Sequence, residues 1–176
     1  MSQLNVNTIG ARTGSEVAIA SGHNLDNISC QVFRLTADLT VTGSNTIATG
    51  WEVPDNVLNS NFGNNVTESA GVFSFTKTGF YKIELNMHGA GGTDSSAHHN
   101  MYIYTSNDGG STYEASARAI TQEGGGGGNA YTVAVVDITD LTNHKVTTEY
   151  YNTSGNIEGD TNQTKTSITF TRLGNT

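Results

Sequence analysis

Two short stretches carry the side chains best suited to chemistry, and the first is the turn SNDGGSTY at 106–113. It follows the Asp-box pattern Ser-x-Asp-x-Gly-x-Thr-aromatic, with Asp108 at the acidic position. A carboxylate there could act as a general acid or base, but such catalysis needs a second, positioned group in a cleft. The other acids are scattered over turns and strand edges. We therefore interpret Asp108 as a turn residue whose carboxylate binds backbone amides, with the neighbouring glycines supplying positive φ.

The second stretch surrounds a loop rich in Gly and Ser. His88, His98 and His99 flank this loop, which also contains Asp94, so side chains that can bind metals lie near one another in sequence. No spacing among them fixes a coordination geometry, and we expect loop histidines in contact with solvent. The glycine run at 124–128 is not a phosphate loop, since no Gly-Lys-Ser/Thr follows it. The sequence predicts no metal, no cofactor and no enzyme activity.

The composition is typical of an all-β protein. The 176-residue chain is rich in Thr and Asn beside its 21 Gly, and only 35% of its residues are hydrophobic. Thr suits pleated strands, while Asn and Gly suit turns. The formal net charge of -8 disfavours nucleic acid as a partner, because a phosphate backbone attracts basic surfaces. The single cysteine, Cys30, can form no intrachain disulfide.

No apolar run approaches the roughly 20 residues that span a bilayer, so we expect no membrane insertion. The N-terminal sequence MSQLNVNTIG has neither the basic start nor the apolar stretch of a secretory signal. We therefore expect synthesis in the cytoplasm, with any exit by another route such as lysis of a host cell.

Period-two alternation predicts about ten strands after residue 30. In CQVFRLTADLTV, the residues Phe33, Leu35, Ala37, Leu39 and Val41 form a dry face, and Arg34 lies on the wet face. Phe73 and Phe75 point one way before Gly79 turns the chain, and turn clusters separate further strands predicted at 80–87, 101–106, about 113–120, 130–138, 145–151 and 166–173. This pattern predicts an antiparallel jelly-roll sandwich over residues 31–176.

Residues 1–30 differ from the rest of the chain. Their apolar residues occur in short bursts punctuated by glycine, and such bursts cannot bury themselves alone. We expect a short β-rich anchor that docks on another protein or on a copy of itself. The predicted anchor residues are Leu4, Val6, Ile9, Val17 and Ile19.

The order of features after residue 30 resembles the globular head domain shared by complement component one q and tumour necrosis factor. The resemblance rests on VFRLTADL, on Gly71-Val72-Phe73 followed by Lys77-Thr78-Gly79-Phe80-Tyr81, and on a last strand with Ile168, Phe170 and Leu173. It covers about residues 30–174. The chain departs from the family at DLTNHK (140–145), where a Gly-Asp turn is usual. The resemblance implies a ten-stranded jelly roll that assembles as a trimer through one sheet face.

Three of the predicted strands carry apolar residues at both alternating sets of positions. A sheet with one solvated face should alternate with polar residues instead, so one face is expected to pack on a neighbouring subunit. The alternative is that these strands are central and covered by loops. The predicted trimer-interface residues are Phe80, Tyr102, Tyr104, Ala134 and Val136.

The leader contains Leu4-Asn5-Val6-Asn7-Thr8-Ile9 and then a Gly-x-x-Val-x-Ile-x-x-Gly-His pattern from Gly14 to His23. It resembles the leaders of structural proteins of tailed bacteriophages, particularly marine ones. That resemblance implies a homotrimeric virion surface protein, a capsid decoration, cement or head-fibre protein. Its partners would be other virion proteins, either the major capsid protein or tail proteins.

Two alternatives remain open: a tail-fibre or receptor-binding tip protein, and a free lectin-like carbohydrate-binding module. In the virion surface role as well as in these alternatives, the exposed loops at 89–99, 107–112 and 124–129 are candidate contacts for host-surface glycans. The predicted loop residues are Asp94, His98, Asn107, Asp108 and Asn129.

Overall fold

The computed structural model describes residues 28–41, 43, 46–55, 61–90, 98–122, 127–152 and 155–176. Within them the chain forms two antiparallel sheets packed as a sandwich, which confirms the predicted all-β jelly roll. No helix of these residues is long and apolar enough to cross a membrane. The strands are β1 (Ser29–Leu35), β2 (Leu39–Thr40), β3 (Thr46–Ile47), β4 (Trp51–Glu52), β5 (Val66–Ser69), β6 (Val72–Phe75), β7 (Gly79–Ala90), β8 (His98–Ser106), β9 (Glu114–Gln122), β10 (Gly128–Ile138), β11 (Lys145–Asn152), β12 (Asn156–Ile157) and β13 (Ser167–Gly174).

Sheet A has seven strands. β1 pairs with β13, β13 pairs with one edge of β7, and β10 pairs with the other edge of β7 along its whole length. The two-residue strands β2, β4 and β12 extend this sheet. Sheet B has six strands in the order β5, β6, β11, β8 and β9, with β3 also on β11. The chain therefore passes repeatedly from one sheet to the other, as in a jelly roll.

The core lies between the two sheets and is built from alternate residues of each strand. Tyr81, Ile83, Leu85 and Met87 of β7 are fully buried, as their alternation predicts. Phe73 of β6 lies at the centre of an aromatic cluster. Its ring centroid is 5.3 Å from that of Phe33, 5.9 Å from that of Trp51 and 5.0 Å from that of Phe170. Tilted and edge-on rings of this kind pack favourably and tie sheet A to sheet B.

Two glycines in the segment 71–81 are needed because backbone passes close to them. Gly71 has φ +84°, and a Cβ there would lie 2.5 Å from the carbonyl oxygen of Ala48. Gly79 has φ +138°, and a Cβ there would lie 2.1 Å from the carbonyl oxygen of Gly174. Both positions combine a left-handed conformation with a steric block, which explains the glycine spacing noted in the sequence.

The single strand predicted over 30–41 is wrong. The segment 30–41 instead contains β1 and β2, and Ala37 is exposed between them. Between the two strands, the Thr36 N–H donates a hydrogen bond to Gly50 O. Arg34, predicted to face water, has a side chain only 1% exposed. Its Nε lies 2.7 Å from Glu52 Oε1, and its second guanidinium nitrogen lies 2.7 Å from Asp55 Oδ1.

Together, the ion pairs of Arg34 affect the pKa of its guanidinium more than burial does. Burial alone would lower the pKa of the guanidinium, but hydrogen bonds and charges from Glu52 and Asp55 raise that pKa above its ordinary value. A buried charge needs such partners, because desolvation without them is strongly unfavourable. The side chain is therefore a charged structural element beneath the segment that follows β4.

β1 begins at Ser29, so Ser29 and Cys30 pair with β13 and belong to the jelly roll instead of the leader. The five predicted anchor residues, at positions 4 to 19, lie outside the described residues.

Candidate functional site

The face of sheet A that points away from the core carries an exposed run of apolar side chains. On β10, Tyr131, Val133 and Val135 are 55%, 43% and 63% exposed. Phe80 at the start of β7 and Leu173 near the end of β13 are exposed as well. We call these five residues the sheet A patch. It is the main candidate surface for association, because a group of exposed large apolar side chains on a folded protein often marks an interaction site.

Polar side chains on β7 lie beside the sheet A patch and are linked to it. Glu84 Oε1 accepts a hydrogen bond from Tyr131 Oη at 2.6 Å and lies 2.8 Å from Lys82 Nζ. The hydrogen bonds from Lys82 and then Tyr131 lower the pKa of Glu84. Tyr131 is thereby held in one orientation across the sheet, and the face combines apolar area with satisfied polar groups, as interfaces do.

The structure places the predicted trimer-interface residues on the outer faces of both sheets and on the side of sheet A that faces the core. Phe80 belongs to the sheet A patch. Ala134 is 8% exposed, and Val136 is half-buried and packed against the core. The register pairs Val136 with the buried Tyr81, so both residues face inward. The prediction that β10 has two apolar faces was right, but Ala134 and Val136 were assigned to the wrong one.

Tyr102 and Tyr104 lie on the outer side of sheet B, because β8 belongs to that sheet. Their ring centroids are 5.5 Å apart at 41°, and the Arg118 guanidinium lies 5.3 Å from the Tyr102 ring centroid. Arg118 Nε also donates to Asn100 Oδ1 at 3.1 Å. These tyrosines therefore cannot share an interface surface with Phe80, which lies across the sandwich.

Of the predicted loop residues that the structure describes, two lie in a turn and two lie in strands. Asn107 and Asp108 lie exposed in the turn between β8 and β9, as expected. His98 begins β8, and Asn129 pairs with His88 inside β10, so neither is a loop residue. Asp94 lies outside the described residues.

Asp108 holds its turn together with both carboxylate oxygens. Oδ1 accepts hydrogen bonds from Thr112 N at 2.9 Å and from Ser106 Oγ at 2.7 Å, and Oδ2 accepts one from Thr112 Oγ1 at 2.6 Å. These bonds, those from Thr112 first, lower the pKa of Asp108 to about 2. The interpretation of SNDGGSTY as a structural turn is confirmed.

The histidines near the Gly/Ser loop do not form a metal site in the described part of the chain. There, no group of three or more His, Cys, Asp or Glu side chains is placed to hold a metal ion. His99 is fully buried on β8, with its ring against Gly89, so the expectation of a solvated loop residue is wrong. His88 Nδ1 lies 2.9 Å from Glu158 Oε2.

A cleft of about 290 Å³ lies beside the Asp108 turn. It is lined by the β8–β9 turn and the strand ends on either side of it, by the end of β10, and by the β10–β11 turn and the start of β11, with Asn107, Glu114, Asp137 and Lys145 among the lining residues. Sequence reasoning missed this cleft because it joins two turns that are far apart in the chain. The only sequence signal for this cleft is the polar composition of the two turns.

The strand order and the two packed sheets define a jelly-roll sandwich of the tumour necrosis factor type. No protein-family model and no curated protein matches the sequence. Among solved structures, murine APRIL at pH 5.0 is similar with a TM-score of 0.61 and 14% identity, over 83% of this chain and 99% of that chain. Eiger TNF from S. frugiperda is similar with a TM-score of 0.63 and 13% identity, over 85% of this chain and 95% of that chain. The likeness concerns the fold, and it confirms the resemblance at that level.

Proposed function

We propose that the chain is a non-enzymatic surface module that assembles as a homotrimer through the outer face of sheet A. The sheet A patch carries this proposal. Burial of apolar surface contributes roughly 25 cal/mol per Å², so covering this exposed run of apolar side chains with a neighbouring subunit favours association. The choice of a trimer over a dimer is supported by the resemblance to the tumour necrosis factor family.

Association is tested by placing charges in the sheet A patch. The double variant Val133→Asp and Val135→Asp should abolish assembly, because two carboxylates would be desolvated in the interface. Both side chains point away from the core, so the fold should survive, as checked by circular dichroism. The measurement is molar mass by light scattering.

Leu141→Asp is the matched control, since Leu141 is an exposed apolar residue in the turn between β10 and β11. It should leave the mass unchanged. A double variant that is folded and still has the wild-type oligomeric mass would refute association through this face.

We further propose that the leader attaches this trimer to a virus particle, as a capsid decoration, cement or head-fibre protein. The support is the likeness of residues 4–23 to bacteriophage leaders together with their position ahead of a jelly roll. Binding only to the assembled particle would stabilise that particle by mass action.

Deletion of residues 1–27 is the appropriate test, because Ser29 already belongs to β1. The shortened chain should keep its oligomeric state, three times its own smaller mass, and lose co-sedimentation with particles. Equal attachment of the full and shortened chains would contradict the role proposed for the leader.

A tail-fibre tip or a free lectin-like module is the second candidate, and the cleft beside the Asp108 turn favours it. Such a module would bind host-surface glycans without needing the leader. Glycan binding by the chain lacking residues 1–27, with no attachment of the full chain to particles, would favour this alternative.

A further inference from the structure

Two turns that border the cleft beside the Asp108 turn, together with the strand ends next to them, are tied to each other by a hydrogen bond. The N–H of Gly109, in the β8–β9 turn, donates to the carbonyl oxygen of Asn143, in the β10–β11 turn, at 2.9 Å. The second turn is held internally, because Asp140 Oδ1 accepts from Thr142 N at 2.8 Å and from Asn143 N at 3.1 Å. With Asp108 holding the first turn in the same way, both walls of the cleft are fixed before any ligand arrives.

The lining of the cleft offers hydrogen-bond acceptors. The carboxylates of Glu114 and Asp137 are exposed and form no hydrogen bond or ion pair with the parts of the chain that the structure describes. The Thr112 hydroxyl donates its proton to Asp108, which leaves the lone pairs of its oxygen as acceptors. All three side chains belong to residues that line the cleft.

The lining also offers donors. His144 Nδ1 accepts a hydrogen bond from Thr139 N at 3.3 Å, so the neutral imidazole carries its proton on Nε2, where it can donate. Lys145 Nζ uses one of its three N–H groups on Leu141 O at 3.0 Å and keeps two. Val136 contributes an apolar wall.

We propose that this cleft binds a single neutral sugar ring, such as one hexose unit of a glycan. An anion requires donors alone and a cation requires acceptors alone, whereas each sugar hydroxyl both donates and accepts. The cleft presents both kinds of group around an aliphatic wall that suits the C–H face of a ring. Its volume of about 290 Å³ is at the small end of ligand pockets and fits one ring instead of a longer chain.

The site is complete within one chain, so it does not depend on the proposed trimer. The lining residues come from the end of β8, the β8–β9 turn, the start of β9, the end of β10, the β10–β11 turn and the start of β11, all of the same chain. Failure of sugar binding can therefore be observed while light scattering still gives a trimer. Sugar binding by a chain that light scattering shows to be a monomer can be observed as well.

The test is a titration of the ¹⁵N-labelled full chain with methyl glycosides of glucose, galactose, mannose and N-acetylglucosamine, followed by NMR. At least one sugar should shift the amide signals of Asn107, Glu114 and Lys145 with saturation. The dissociation constant should be on the order of 1–10 mM, as expected for a ligand with about a dozen heavy atoms.

The double variant Glu114→Gln and Asp137→Asn should weaken this binding by about tenfold, because amides replace two strong acceptors. Glu149→Gln is the matched control, since it removes a carboxylate from β11 on the outer side of sheet B, and it should bind as the wild type does. The dispersion of the amide spectrum shows whether each variant is folded.

Three results would overturn the proposal. The first is no saturable shift with any of the four sugars up to about 50 mM, well above the affinity expected for this size. The second is a saturable shift confined to residues outside the cleft. The third is binding of a diamine such as putrescine in place of the sugars, which would make the cleft a cation site.

Discussion

Aspartates at the first positions of turns fix the local backbone in this molecule. Asp108 and Asp140 each accept hydrogen bonds from N–H groups that follow them in sequence. Hydrogen bonds lower the pKa of both carboxyls because they favour the charged form: for Asp108 first the bond from the Thr112 hydroxyl and then that from Thr112 N, and for Asp140 first the bond from Asn143 N. Hydrogen bonds to aspartate thereby order these two exposed, polar turns without the burial of apolar side chains. Each turn borders one side of the cleft.

The titration of Asp108 is the first prediction. Its folded pKa of about 2 lies below the ordinary 3.8, so the turn's stabilising contribution is complete above about pH 4 and is lost as the pH falls through 2. NMR of the side-chain carboxyl should give a midpoint near 2. Asp108→Asn should remove this part of the pH dependence. A midpoint near 3.8 would show that the Thr112 and Ser106 hydrogen bonds do not form.

The second prediction concerns Tyr150, whose hydroxyl is buried. Neither it nor the neighbouring Thr148 hydroxyl forms a hydrogen bond of normal geometry with the described residues, and burial raises the pKa of the phenol. Tyr150→Phe should therefore leave the free energy of unfolding within about 1 kcal/mol of the wild type or raise it.

The matched comparison is Tyr81→Phe, because the Tyr81 hydroxyl donates to Lys77 O at 2.8 Å. That change should lower the free energy of unfolding by about 1 kcal/mol in urea denaturation. A larger loss for Tyr150→Phe than for Tyr81→Phe would mean that the Tyr150 hydroxyl has a partner after all.

Residue roles were predictable where they depend on local sequence alone. The Asp108 turn is an example, because donor and acceptor are four residues apart. The burial of Arg34 was not predictable, since its partners Glu52 and Asp55 come from a later segment that folds over it. Alternation placed Arg34 on the outer side of β1, but alternation carries no information about what covers that side.

At the scale of elements, β10 shows what decides the inner and outer faces of a strand. Both sets of side chains on β10 are apolar, so the sequence cannot distinguish them. Pairing with β7 does, because Val136 lies opposite the buried Tyr81 and Val135 lies opposite the half-buried Lys82. A shift of one residue would exchange the two faces completely.

The third prediction tests the close approach at the start of β7. Gly79→Ala would place a Cβ 2.1 Å from Gly174 O at a φ of +138°, so the strand ends must separate. The free energy of unfolding should fall by roughly 2–4 kcal/mol. Gly174→Ala is the control, because a Cβ there meets nothing within 4 Å. Equal effects of the two changes would contradict the steric account.

At the scale of the whole molecule, the two candidate surfaces are distinct and differ in chemistry. The sheet A patch is a group of exposed apolar side chains suited to a second copy of the chain, and the cleft is a polar concavity suited to a small ligand. The jelly roll was predictable because strand alternation and turn clusters are local features. The position of each surface was not, because it depends on which distant strands meet.

The molar mass of the full chain by light scattering tests the central claim most directly. We expect three times the chain mass of 18.6 kDa across a range of concentrations, and a fall to 18.6 kDa in the Val133→Asp and Val135→Asp double variant. A folded wild-type chain with a mass of 18.6 kDa at every concentration would contradict the account.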